Sequence, residues 1–134
     1  MSKFEESGNS INRFDDWATH EYSSGGAFTA LVILVGIGGL SITPLRSTWF
    51  HVTGDEFTWA EIARLLGSSG AAWDGVMFTV LRDAHRSGPV ADIVARGKVA
   101  ELVDRIREDR SVINAHHFFD NLGRRLMVEE VAPQ

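Results

Sequence analysis

Residues Ala27–Leu45 read AFTALVILVGIGGLSITPL, and the uncharged run extends back to Tyr22. Mean hydropathy over that window is roughly +2 on a transfer scale, against −0.05 for the whole chain. A bilayer's hydrocarbon core takes about 20 apolar residues at ~1.5 Å rise each. The run is long enough to span one. Its flanks agree: Trp17 and Tyr22 precede it, Trp49 and Phe50 follow it, and Arg46 and His51 lie alongside, as headgroup anchors do. Pro44 falls where a helix breaks at low cost, and Gly36, Gly38 and Gly39 are commoner in membrane helices than in other ones. The pattern predicts a transmembrane helix with aromatic flanks over residues 22–49, its core within 25–45.

The alternative is a soluble α+β domain with residues 28–43 as buried strands. Phe28–Val35 would then be an interior strand, Gly36–Gly39 a turn and Leu40–Thr43 a second strand. The β-branched residues Val32, Ile33, Val35, Ile37 and Ile42 suit it, and periodicity does not separate a fully buried strand from a buried helix. Length favours the helix, because strands usually run about 4–8 residues. A signal peptide fits poorly, since 21 residues precede the apolar core and are net acidic, with Lys3 and Arg13 against Glu5, Glu6, Asp15, Asp16 and Glu21.

Outward from the run, residues 1–21 read as an acidic tail and interfacial segment. Met1–Ser10 is a solvated tail, and Ser10–His20 an amphipathic helix through Ile11, Phe14, Trp17 and Ala18. Residues 52–134 read as a small helical domain. Thr58 and Glu61 have capping-box spacing ahead of Trp59, Ile62, Ala63, Leu65 and Leu66, and Gly67 is a stop. A second helix is predicted over Ala71–Arg86, with Trp73, Val76, Met77, Val80, Leu81 and Ala84 on one stripe, ended by Gly88–Pro89. A third is predicted over Val90–Asp109, with Val99, Leu102, Val103 and Ile106 inward. A fourth covers Val112–Leu126 through Phe118, Phe119, Leu122 and Leu126. Met127–Gln134 reads as a short strand or a frayed end. The fold class is therefore mainly α: one transmembrane helix plus a small helical domain.

The 134 residues carry a formal charge of −5, which argues against a general nucleic-acid binder. There is no cysteine, so disulfide frameworks, thiol nucleophiles and Cys-ligated metal sites are excluded. Glu61–Trp73 resembles a DNA-binding helix-turn-helix, with Ala63 and Gly67 where two helices would cross and turn. The start of its second helix (Gly70, Ala71, Ala72, Trp73, Asp74, Gly75) lacks the Arg, Lys, Asn or Gln that read base edges, so a packing hairpin is the expectation. His116, Asp120 and Arg124 would share a helix face, but a catalytic zinc takes three protein ligands; a solvated face with an Asp120–Arg124 pair is expected instead. Asp55–Glu56 and Glu129–Glu130 read as surface charge. No nucleophile elbow, phosphate loop or zinc-protease motif occurs, and Gly36–Gly39 lacks the last glycine of a dinucleotide fingerprint.

These readings leave no catalytic, cofactor-binding or metal residue to name, no cofactor, and no evident small-molecule substrate. The expectation is a non-enzymatic, single-pass membrane accessory or assembly subunit of a larger complex. Its partners would be the lipid bilayer and other membrane subunits, met through the small faces of Gly26, Ala30, Gly36, Gly39 and Ser41. Arg46 and Arg64 after the span place the C-terminal domain on the cytoplasmic side. Two other function classes compete: a soluble acidic binding or inhibitor module, and a helix-turn-helix DNA-binding regulator.

Overall fold

The apolar run is a strand and the start of its hairpin partner. The computed structural model describes residues 13–39, 41–54 and 57–127. In chain order these form α1 (Phe14–Gly25), β1 (Phe28–Gly38), β2 (Ser41–Val52), α2 (Trp59–Gly67), β3 (Gly75–Leu81), α3 (Asp92–Glu108), a 3-10 turn (Arg110–Ala115) and β4 (His117–Asp120). The strands make one antiparallel sheet in the order β2-β1-β3-β4. This α+β sheet overturns the mainly helical expectation and matches its alternative. Among the described residues no helix is long and apolar enough to cross a membrane. The single-pass span over 22–49, its membrane localisation and its orientation are thereby corrected. Residues 22–49 are the end of α1, all of β1 and most of β2.

The physical reason lies in two walls of helix. Phe28, Ala30, Val32 and Leu34 of β1 pack with Phe14, Trp17 and Ala18 of α1 and Ile62 and Leu66 of α2. Leu31, Ile33 and Val35 point the other way, against Ala95, Val99, Leu102 and Ile106 of α3 and Ile113 of the 3-10 turn. Every residue from Phe28 to Val35 is buried. A strand covered on both faces has no polar side to show, so its pattern is a continuous apolar run rather than an alternation. Burying each of its large aliphatic side chains stabilises the fold by roughly 1.5–3 kcal/mol. Gly38 faces Ser41 across the hairpin, and Gly39 begins the turn at φ +59°, a conformation that other residues reach at a cost.

The same two-sided burial corrects two predicted helices. Residues 71–86 hold β3, not a helix: Val76 and Phe78 face α1 and α2, while Met77 faces α3. The helix-turn-helix spacing therefore lacks its second helix. Residues 112–126 hold the end of the 3-10 turn and β4, in which Phe118 and Phe119 point to opposite faces. The remaining helices stand close to expectation. Thr58 caps α2 by accepting from the Glu61 N–H at 3.4 Å, although the Glu61 carboxylate turns to Arg64 at 2.6 Å instead of closing the box. Asp15 of α1 takes the Trp59 N–H at 2.6 Å, tying α2 to α1. In α3, Val99, Leu102 and Ile106 are buried as the spacing predicts. The amphipathic segment through Phe14, Trp17 and Ala18 is helical, but those side chains meet the sheet rather than a lipid surface. The expectations for Met1–Ser10, Asp55–Glu56 and residues 128–134 fall outside the described residues.

Phe14 is the hub of the α1/α2 side, with the rings of Trp17, Phe57, Trp59, Phe78 and Phe119 within 5.5 Å of its own, centre to centre. Arg82, at the end of β3, closes the other end of α1. Its guanidinium meets the Glu21 carboxylate at 2.8 Å and donates to the carbonyls of Glu21, Gly26 and Ala27. A cation there also offsets the partial negative charge of the helix C-terminus.

Candidate functional site

Two arrangements have the makings of a site. The first is a chain of hydrogen bonds from Thr29 through His51 to Asp92. Asp92 begins α3, and its Oδ1 lies 2.6 Å from His51 Nε2 and accepts from Trp49 Nε1 at 2.9 Å. These two bonds hold the Asp92 carboxyl below its ordinary range. On the other side of the ring, Nδ1 lies 2.9 Å from Thr29 Oγ1, which accepts the Val90 N–H at 3.0 Å. With Nε2 carrying the proton given to Asp92, Nδ1 of a neutral ring accepts the Thr29 hydroxyl proton. Each group in the chain then has its partner.

Hydroxyl, imidazole and carboxylate in that order have the connectivity of a nucleophile, base and orienting acid. The surroundings do not let it act as one. Thr29 is 0% exposed and lies on the central strand under α3, so no substrate reaches its oxygen. Both ring nitrogens are engaged within the fold, and the adjoining cleft of about 180 Å3 is bounded by His51, Val52, Thr53, Gly54 and Phe57. The chain of bonds acts as a strut that joins the start of α3 to the outer strand β2. Thr29, His51 and Asp92 are far apart in sequence and carry no local motif, so only the strand register shows that they meet.

The second arrangement is a groove of about 370 Å3 between α2 and β2. Its floor is Val32 and Leu34 of β1 with Phe50 of β2; Leu65, Leu66 and Ser69 form the α2 side, and Arg46, Ser47 and Thr48 the outer side. The helix reaches over β1 but leaves the outer strand open. Val32, Leu34 and Leu66 are almost fully buried, while Leu65 at the lip is 38% exposed. A volume in this range, apolar with a few convergent polar groups, is the usual form of a small-ligand pocket.

Arg46 reaches the groove because of an irregularity in the ladder. Leu34 pairs with Arg46 but Val35 pairs with Pro44, so Leu45 is an extra residue, a β-bulge. Before the bulge, Ile42 packs on the α3 side; after it, the even-numbered Phe50 and Val52 pack on the α1/α2 side, where Arg46 and Thr48 also lie. In an unbroken ladder Leu45 would oppose Leu34, and Arg46 would oppose Ile33 on the α3 face. The Arg46 guanidinium donates to the Leu45 carbonyl at 2.9 Å, and no carboxylate among the described residues pairs with it.

The residues singled out by sequence are scattered. His116 bonds Thr79 at 3.0 Å on the α3 side, whereas His117 lies against the Trp17 ring on the α1 side, so the two point apart. Asp120 and Arg124 do pair, at 2.8 Å, across a turn rather than along a helix. Burial raises the Asp120 carboxyl, but the N–H groups of Arg124 and Leu122 and the Arg124 guanidinium together bring it below its ordinary range. Among the described residues no group of three or more His, Asp or Glu is placed to hold a metal ion. Sequence reading passes over the groove because it gives Arg46 and Phe50 to a membrane flank and Leu65 and Leu66 to a helix core. The β-branched content and the glycine turn are the signals that place them on a hairpin beside α2. No protein-family model, curated protein or solved structure matches the chain.

Proposed function

We propose that this chain is a non-catalytic binding module, and that its binding face is the groove between α2 and β2. The observation that carries this reading is the groove itself: an apolar concavity open at the sheet's outer strand, where Phe50 and Leu65 are accessible, with a cation at its rim. The hydroxyl–imidazole–carboxylate chain does not compete with it, since its hydroxyl, on Thr29, is fully buried, and its bonds tie the start of α3 to β2. The expectation of a membrane subunit rested on a span that the sheet replaces; the binding half of the alternative expectation is kept. Among the described residues, several carboxylates are spent inside the fold rather than offered to a partner. Glu21 holds Arg82, Asp74 takes the Ile37 N–H, Asp83 and Asp109 cap turns, and Asp120 holds Arg124.

The test is a titration of the isotope-labelled full chain with 1-octanol, a neutral aliphatic probe, followed by amide chemical shifts. Shifts should gather at Val32, Leu34, Phe50, Leu65 and Leu66. Leu65→Gln, at an exposed lip position, should weaken the probe roughly fivefold by removing part of the apolar wall. Shifts absent from these residues, or spread evenly over the surface, would overturn the reading.

A further inference from the structure

Resting on that reading, we infer that the groove takes an amphipathic carboxylate, an aliphatic chain on the floor with its anionic end against Arg46. Three observations converge on it. The lining is carbon: Phe50 and Leu65 present accessible apolar surface over the buried Val32, Leu34 and Leu66. The rim is cationic. Arg46 spends one donor on its neighbour's carbonyl and meets no carboxylate among the described residues. A guanidinium has five N–H donors in a planar fork that matches a carboxylate. In a chain of net charge −5, an arginine with no carboxylate partner among the described residues, at the mouth of an apolar groove, supplies the charge complement that an anionic ligand needs.

The bulge at Leu45 is the third observation. It costs the ladder its regularity, and its effect is to set Arg46 opposite Leu34, at the groove. Bulges re-aim side chains in this way. Ser69 adds a polar group on the α2 side: its oxygen accepts the Ala71 N–H at 3.2 Å and keeps its own proton to donate. The ligand is a simple aliphatic acid rather than a peptide. A peptide in this groove would bury amide groups against Val32, Leu34 and Phe50 without partners, at a cost of roughly 1–3 kcal/mol each. Pro44 and the bulge also break the edge of β2 along which a peptide strand would pair.

The experiment compares octanoate, 1-octanol and octyltrimethylammonium at pH 7 and low salt, by calorimetry and by amide shifts of the full chain. Octanoate should bind about tenfold more tightly than the alcohol, the size of one charge-assisted contact at a partly exposed site. The ammonium probe should bind most weakly. Arg46→Gln, a change at an exposed position, should erase the difference between acid and alcohol while leaving alcohol binding in place. Equal binding of acid and alcohol, with shifts still at Leu34 and Leu65, would overturn the anionic ligand and leave the binding module standing. Tighter binding of acetyl-Leu-Leu than of octanoate would overturn the aliphatic acid in favour of a peptide end. No groove shifts with any probe would overturn the module itself.

Discussion

Trp17 and His117 lie with ring centres 4.8 Å apart, and the burial of the imidazole there favours its neutral form. Burial first, then the nearby Arg125 guanidinium, push the His117 imidazole down to about 4. In the unfolded chain it returns to an ordinary value near 6.5. Between those values the unfolded chain takes up a proton that the folded chain refuses, so stability falls as pH drops from about 6.5 to 4. The full interval would correspond to roughly 3 kcal/mol, and solvent screening of a half-buried ring reduces that to about 1–2 kcal/mol. His116 is lowered by burial and by Arg105, which acts in the same direction. The carboxyls of Asp83, Asp92, Asp109 and Asp120 are all held low, so their stabilisation is lost only below this window, under about pH 4. Urea unfolding at pH 7.0 and 4.5 should show the loss. His117→Phe keeps a ring against Trp17 without titrating, and should shrink the difference between the two pH values. An undiminished difference in that variant would assign the dependence to other groups.

At the scale of the element, the bulge allows a test by deletion, because a strand's faces alternate with period two. Removing Leu45 leaves Pro44 opposite Val35 and Arg46 opposite Leu34, a regular ladder with Arg46 still over the groove. Removing Ser47 also regularises the ladder, but it moves Leu45 opposite Leu34 and turns Arg46 to the α3 side. Both variants should fold; the first should keep the preference of octanoate over octanol and the second should lose it. A preference retained in the Ser47 deletion would show that Arg46 is not its source. The same periodicity explains what the sequence reveals. Helices with one buried stripe are legible: Ile62 and Leu66 of α2, and Val99, Leu102 and Ile106 of α3, lie at helical spacing and are buried. Strands buried on both faces are not. Val76, Met77 and Phe78 are consecutive core residues, and with Val80 and Leu81 they satisfy a helical stripe as readily as a strand. The groove is least legible of all, since Arg46, Phe50 and Leu65 meet through long-range strand pairing that no local pattern encodes.

For the molecule as a whole, each helix layer covers a different face of β1, and neither alone is sufficient. Residues 1–88 contain α1, α2 and three strands but lack α3, the wall over Leu31, Ile33, Val35 and Met77. That truncated chain should aggregate or float with lipid vesicles, whereas the full chain should do neither. A monodisperse truncated chain that ignores vesicles would show that α3 is dispensable as a cover. The order of the elements adds a matter of timing. The first residue of α3, Asp92, is made 57 residues after Val35, the end of the buried run (92 − 35). At about 5–20 residues per second that gap lasts roughly 3–11 s. Through those seconds a growing chain displays a segment with the hydropathy of a membrane anchor and no partner to hide it, so it is the nascent chain, rather than the finished fold, that competes for the cell's lipid-targeting and chaperone machinery.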